Sequence, residues 1–305
     1  MGNVNETLKN NQMTREEREQ YLFGPWLSEI KSEEDIPPQY FFKKDTILNS
    51  ELAMKVPVNK DRKDLDPGML MYKQVLIIEE EQIQLYSASA QGVDEVTIPL
   101  SELIFVIRGG ELLNNYIAFG TVEQVYRVEY YSVSKELTSR ILMKARMFFE
   151  NAAQSVEIIE GDFENAKDAM LYKYFTRKEY TREPMKVVAY QPEALLKTAE
   201  SNIMNIFINR LNQPKLEEVM FLTNGKELII ASGDIDKGNE ASVDYSYRHC
   251  YIRLDSLKGF LLSDDEAYDD TKVLTVETVG QNFLINVKDG FDLSSLNDLI
   301  YGIHQ

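Results

Sequence analysis

Short runs of alternating apolar and polar residues dominate residues 52–131 and return over 217–288, and each stretch ends in a helical period. In the first stretch the alternation predicts strands at 52–58, "YKQVLIIE" (72–79), "IQLYSA" (83–88), "EVTIPL" (95–100), "LIFVIR" (103–108), "LLNNYIAFG" (112–120) and "EQVYRVEYY" (123–131). In the second it predicts them at "EEVMFLT" (217–223), "ELIIAS" (227–232), "YSYRHCYIRL" (245–254), "LKGFLL" (257–262), "KVLTVETV" (272–279) and "NFLINVK" (282–288). Gly109-Gly110 and Asn224-Gly225 read as two-residue hairpin turns, because glycine and asparagine tolerate positive φ. Closely spaced short strands with turn signals predict an antiparallel sandwich or barrel.

Helical periods follow. Leu137, Ile141, Leu142, Ala145, Phe148 and Phe149 share one face of a helix capped at Ser134, and Leu293, Leu296, Leu299, Ile300 and Ile303 share another, with Asp292 as its cap. Between the strand stretches, 163–184 reads as helical, 185–193 as a short strand, and 193–211 as a helix with Leu196, Ala199, Ile203, Ile206, Phe207 and Leu211 inward.

The segment "IPLSEL" (98–103) recurs as "IRLDSL" (252–257). Both read I-x-L-x-x-L, both follow a hairpin, and both precede a closing helix at nearly the same distance. The order and spacing predict one unit written twice. In I-x-L alternate residues face inward; the extra residue before the last leucine is a kink that bends the sheet.

A bent antiparallel sheet closed by one C-terminal helix resembles the pleckstrin-homology-like superfold. "GVDEVTIPLSELIFVIRGG" (92–110) is similar to the mid-domain strand of bacterial pleckstrin-homology-like and GRAM-like domains, where an I-P-x-S-x-I/L segment recurs. The resemblance covers 51–150 and, less closely, 185–305. It implies an α+β protein of two such domains, each a bent antiparallel sheet or barrel closed by a C-terminal helix. A helical linker over 151–184 joins them, residues 1–50 pack on the first domain, and the 193–211 helix is inserted after the first strand of the second. The seventh strand of each half is then 52–58 and 186–190.

Composition narrows the chemistry. A net charge of −17 opposes nucleic acid and anionic lipid, which carry the same sign. The single cysteine, Cys250, permits no internal disulfide and fits a reducing compartment. The N-terminus lacks a signal pattern, Glu6 stands where a myristoylation site needs Ser or Thr, and no apolar run spans a membrane. A cytoplasmic protein is expected. Many pleckstrin-homology domains bind phosphoinositides through basic residues of an early loop. Here "EEEQ" (79–82) and "TNGK" (223–226) are acidic or bare, and in "VNKDRKDLD" (58–66) the charges cancel.

Only two histidines, His249 and His304, are present, and nucleotide-binding, nucleophile-elbow and zinc-protease motifs are absent. His249 and Cys250 are adjacent on a strand, so they point to opposite faces and do not form a base–nucleophile pair. "DDEAYDD" (264–270) lacks the ligand spacing and glycine of a calcium loop and reads as a solvated hairpin tip. One stretch is locally basic: Lys173, Arg177, Lys178 and Arg182 interleave with Tyr172, Phe175 and Tyr180. It reads first as the wet face of a linker helix with buried aromatics, and second as a contact for acidic lipid or another anion.

The expected function is a non-enzymatic scaffold or binding protein that recognises a protein or peptide, without catalytic residue, cofactor, metal or nucleic acid. A peripheral membrane adaptor using 172–182 is the alternative, and a carboxylate-dependent enzyme a third. Ile98, Leu100, Leu103 and their counterparts Ile252, Leu254 and Leu257 are expected in the core. Leu100→Ala or Leu254→Ala is therefore expected to lower the unfolding free energy by about 2–5 kcal/mol in urea titrations. Glu80→Ala, in the early turn, is expected to change it negligibly.

Overall fold

The computed structural model describes residues 26–58, 60, 69–111, 114–131, 135–152, 156, 163–175, 185–196, 215–232, 246–268 and 270–303. The alternating runs of the first half become β2 (Leu52–Pro57), β3 (Tyr72–Ile78), β4 (Gln82–Ser89), β5 (Gly92–Pro99), β6 (Phe105–Glu111), β7 (Asn114–Gly120) and β8 (Val125–Tyr131), preceded by the short β1 (Ser28–Glu29). The second half gives β9 (Lys186–Gln191), the two-residue β10 (Ala194–Leu195) and β11 (Lys215–Leu216), then β12 (Val219–Thr223), β13 (Glu227–Ser232), β14 (Ser246–Arg253), β15 (Leu257–Asp264), β16 (Thr271–Thr278) and β17 (Phe283–Lys288). Helices are few: α1 (Lys44–Asn49), α2 (Lys135–Ala152), α3 (Met170–Phe175) and α4 (Ser294–Ile303).

The fold is α+β, with antiparallel sheets of order β1-β2-β3-β4-β5, β8-β7-β6-β14-β13-β12-β9 and β15-β16-β17, and a β10-β11 ladder. Among the described residues no sheet closes into a barrel. Each half runs through the same series. Leaving aside the two-residue strands β1, β10 and β11, four strands lead to a 3-10 turn, Leu100–Glu102 or Leu254–Ser256; three strands and a helix follow. The I-x-L-x-x-L segments enter those two turns. Their six aliphatic side chains are at most 3% exposed, so the kink between the second and third apolar positions is a tight turn, not a bulge. Leu137 and Leu293, expected to open the inward helix faces, are half-buried, and Leu293 precedes its helix.

Two compact units result, and they are not consecutive stretches of chain. One is built from the described parts of 1–102, 113–117 and 127–145, the other from those of 103–112, 118–126 and 146–305. In the first, Ile30, Ile36, Tyr40 and Ile47 share a core with Ala53, Val75, Ile77 and Tyr86. Tyr40 fixes the N-terminal segment there: its hydroxyl donates to Lys73 O and accepts from Ala88 N–H. Glu29 accepts both guanidinium arms of Arg140, at 2.7 and 2.9 Å.

The second unit contains the main surprise. Gly109 and Gly110 form no turn. They lie inside β6, opposite Arg248 and Tyr247. β6 pairs with β14 through seven positions, from Ser246↔Glu111 to Ile252↔Phe105. Glycines lack a side chain to pack, so they let neighbouring bulk approach a strand closely. A turn signal therefore looked stronger than it was, because the strand partners Arg248 and Tyr247 lie 139 and 137 residues away in sequence. The hairpin expected at Asn224-Gly225 forms, but its connection runs over residues 224–227, between the paired Thr223 and Leu228, rather than over two residues: Gly225 has φ 87°, and Asn224 Oδ1 accepts from Lys226 and Glu227 N–H.

Two other expectations are corrected or left aside. Residues 194–195 pair with 215–216 as strands, so no helix starts at 193; residues 197–214 lie outside the described residues, as does Ser134. Residues 163–175 form a 3-10 turn, Glu164–Asp168, and then α3, broken at Ala169, which is extended and has no place in a continuous helix.

Phe105 anchors β6. It stands edge-on to Phe283, with centroids 4.9 Å apart, inside a core shared with Ile252, Leu254, Leu257, Phe260, Leu274, Val276, Ile285, Leu296 and Leu299. Gly120 accommodates it: a Cβ there would fall 2.1 Å from Phe105 Cζ. Gly120→Ala is expected to lower the unfolding free energy by about 1–3 kcal/mol through this overlap. Adding Phe105→Leu to it is expected to recover part of that loss in the same urea titration.

Candidate functional site

Strand geometry in the second unit puts side chains of β6, β13 and β14 that lie directly opposite one another on a common face. One such row is Val106, Tyr251 and Ile229; the next is Arg108, His249 and Ala231. On this face charge is buried in a matched form. Glu227, 1% exposed, accepts two charge-assisted hydrogen bonds from Arg146 of α2, one of them 2.9 Å from Nε to Oε2. The same guanidinium lies 4.3 Å over the Tyr251 ring. A desolvated pair of this kind adds little net stability over an apolar pair, yet breaking it strands a buried charge.

His249 is buried one row away. Phe175, Tyr247 and Tyr174 surround its ring at centroid distances of 4.9, 5.3 and 5.7 Å, and Arg108 lies across the ladder. Burial, and then the Arg108 charge, hold its imidazole down to about 3. Its Nδ1 has no hydrogen-bond partner among the described residues. Cys250 faces the opposite side, within the apolar core, where burial pushes its thiol up and keeps it protonated. The two adjacent residues thus sit on opposite faces, as strand geometry requires. The cluster is a packed polar layer on the face of the sheet.

The basic stretch divides. Lys173 is exposed on α3, while Tyr174 and Phe175 of the same helix pack on His249. Arg177, Lys178 and Arg182 lie outside the described residues. At the acidic hairpin tip two carboxylates are engaged locally. Asp264 pairs with Lys272 at 2.5 Å, and Asp265 accepts from Ala267 N–H and Thr271 Oγ1. Among the described residues no three His, Cys, Asp or Glu side chains converge as metal ligands, and no helix is long and apolar enough to cross a membrane.

What remains open to a partner is backbone. β5 and β15, eight residues each, stand at one end of their sheets, with β1 and β17 at the other ends and β8 and β9 ending the seven-stranded sheet. Along β5 only Ile98 is buried; along β15 only Leu257 and Phe260 are. Leu100 N–H donates to Glu81 O at 2.8 Å. Counting back along the antiparallel ladder, the amides of Thr97, Glu95 and Val93 point away from β4. On the outward face of the β15 sheet, Leu261 and Leu284 align across Thr275 and are 55% and 61% exposed. No strand among the described residues covers either edge.

No protein-family model matches the chain, and no curated protein matches it.

Sequence reasoning passed over Arg146 and Glu227. Arg146 follows Ala145 on the helix stripe, and Glu227 opens the apolar run "ELIIAS"; a charge inside each of two apolar patterns is the signal that would have paired them.

The His249 geometry has a pH consequence. Above its ordinary value of 6.5 the imidazole is neutral in both states. Between there and about 3 the unfolded chain binds a proton that the folded chain excludes. Stability therefore rises with pH in that window, by up to about 1.4 kcal/mol per unit, and is lost on acidification. His249→Phe is expected to flatten this slope between about pH 6.5 and 4 in urea titrations, within the limits of linkage. Parallel curves for both proteins would mean that the folded state accepts the proton.

Proposed function

We propose that the chain is a non-enzymatic scaffold of two pleckstrin-homology-like modules that binds an extended segment of a protein partner by strand addition. The observation that carries this reading is the pair of eight-residue edge strands, β5 and β15, with outward amides and few buried side chains. An extended peptide laid along such an edge gains a full ladder of backbone hydrogen bonds, and exposed aliphatic side chains such as Leu261 supply selectivity. The twofold series of four strands, 3-10 turn, three strands and closing helix supports the modular part of the reading. The inert settings of His249 and Cys250 support the non-catalytic part. The net charge of −17 favours a protein partner over lipid or nucleic acid, and one buried thiol suits a reducing cytoplasm.

Affinity capture tests this with the tagged full chain in extract of its own cell. The wild-type chain is expected to retain a protein at a fixed molar ratio. Thr97→Pro removes an outward amide of β5 without touching the β4 ladder, and Leu261→Asp places a charge on β15; one or both are expected to release that protein. Equal retention by both variants, or turnover of a metabolite with no protein retained, overturns the proposal.

A further inference from the structure

We propose that β15 of one copy of this chain pairs with β5 of another, so that copies join head to tail. The inference rests on the strand-addition reading above and names the partner as a second copy. It comes from comparing the two halves of the chain. Without the two-residue strands, β14 is the fourth strand of its half and β6 the fifth strand of the other, and they form a continuous antiparallel junction of seven positions. Placing Ile98 on Ile252 and Leu103 on Leu257 makes β5 the counterpart of β14, and β15 the counterpart of β6. The chain therefore carries one formed junction and, at the open edges of β5 and β15, both halves of the same junction unformed.

Burial follows this difference. Cys250, Tyr251 and Ile252 of β14 are all buried, whereas of their counterparts in β5 only Ile98 is; Val96 is half-buried and Thr97 exposed. Ile107 of β6 packs against the second core, whereas its counterpart Leu261 is exposed. Transferring the register of the formed junction sets Ile98 opposite Gly259, Val96 opposite Leu261 and Asp94 opposite Ser263. Leu261 then meets a half-buried valine beside the buried Ile98, and no like charges face each other directly in those pairs.

One difference sets the strength. The formed junction has Phe105 wedged against Phe283; its counterpart at the open edge is Gly259. The outer junction keeps the backbone ladder and the Leu261 contact but lacks the aromatic wedge. It is accordingly reversible, while β6–β14 is a permanent part of the fold. The junction is heterologous, so every added copy leaves one β5 and one β15 open, and growth continues until a ring closes or a filament forms. Repulsion between chains of charge −17 weakens as salt screens it, so association strengthens with salt.

Sedimentation and light scattering of the full chain over a range of concentrations and salt test this. The mass is expected to rise with both, past that of two chains. Thr97→Pro and Leu261→Asp are each expected to be monomeric. Mixed in equal amounts they are expected to give a one-to-one dimer that grows no further, since only one intact β5 and one intact β15 remain. Thermal melts matching the wild type establish that each variant is folded; Thr97→Lys and Leu261→Lys replace any that is not. A wild-type chain that stays monomeric, a dimer indifferent to both variants, or a mixture that stays monomeric overturns the inference. A monomeric wild type that still retains a foreign protein through β5 or β15 overturns this inference alone; if no protein is retained either, the strand-addition reading falls with it.

Discussion

The pairing of β6 with β14 is the constraint around which the second half of the molecule is built. It takes a strand from the first half of the sequence and uses it in the core formed by the second. Phe105 and Ile104 pack among residues 188–299, and Ile104 O accepts from Arg253 N–H at 2.9 Å, so the junction extends to the last residue of β14, where the 3-10 turn begins. Loop closure over such a sequence distance is entropically costly, but the cost grows only slowly with length. Seven paired positions and an aromatic wedge are enough to hold it.

The face of this sheet that carries Arg108, Glu227 and His249 shows how charge is tolerated inside the fold. Arg146 reaches Glu227 from α2 and covers Tyr251, and the aromatic rings of α3 close over His249. Each polar group fits one arrangement of helix on sheet. Apolar residues alone would allow the helices to slide; a two-armed contact between Arg146 and Glu227 does not. The energetic gain is small and the geometric restriction large.

Open sheet edges are ordinarily blunted by prolines, inward charges or covering loops. β5 ends at Pro99 and carries Asp94 and Glu95, but its amides at 93, 95 and 97 remain turned outward, and β15 carries one lysine, Lys258, along an otherwise apolar and neutral middle. In β14 and β6, the counterpart strands of the other half, those edges are satisfied by each other. A strand that the fold needs covered is covered here. Among the described residues β5 and β15 are left open, as are the other terminal strands β1, β8, β9 and β17, and they are the longest of the six.

The sequence by itself determined the local elements. Short aliphatic, β-branched and alternating runs between turn signals located the strands longer than two residues, including those expected at 52–58 and 186–190, and I-x-L-x-x-L located two buried turns with all six aliphatic residues in place, because the apolar pattern of each segment is written in that segment alone. The −17 charge and the isolation of His249 from Cys250 on opposite faces were legible for the same reason. Only the tertiary structure decided that Gly109 and Gly110 belong to a strand, that 194–195 pair with 215–216, that Arg146 answers Glu227, and which edges stay open. Those outcomes depend on pairing energies between residues far apart in the chain. A local window contains the propensity of Gly-Gly to turn but not the β14 ladder that outweighs it, and two strands of one repeated pattern differ in burial only through the neighbour that one has and the other lacks.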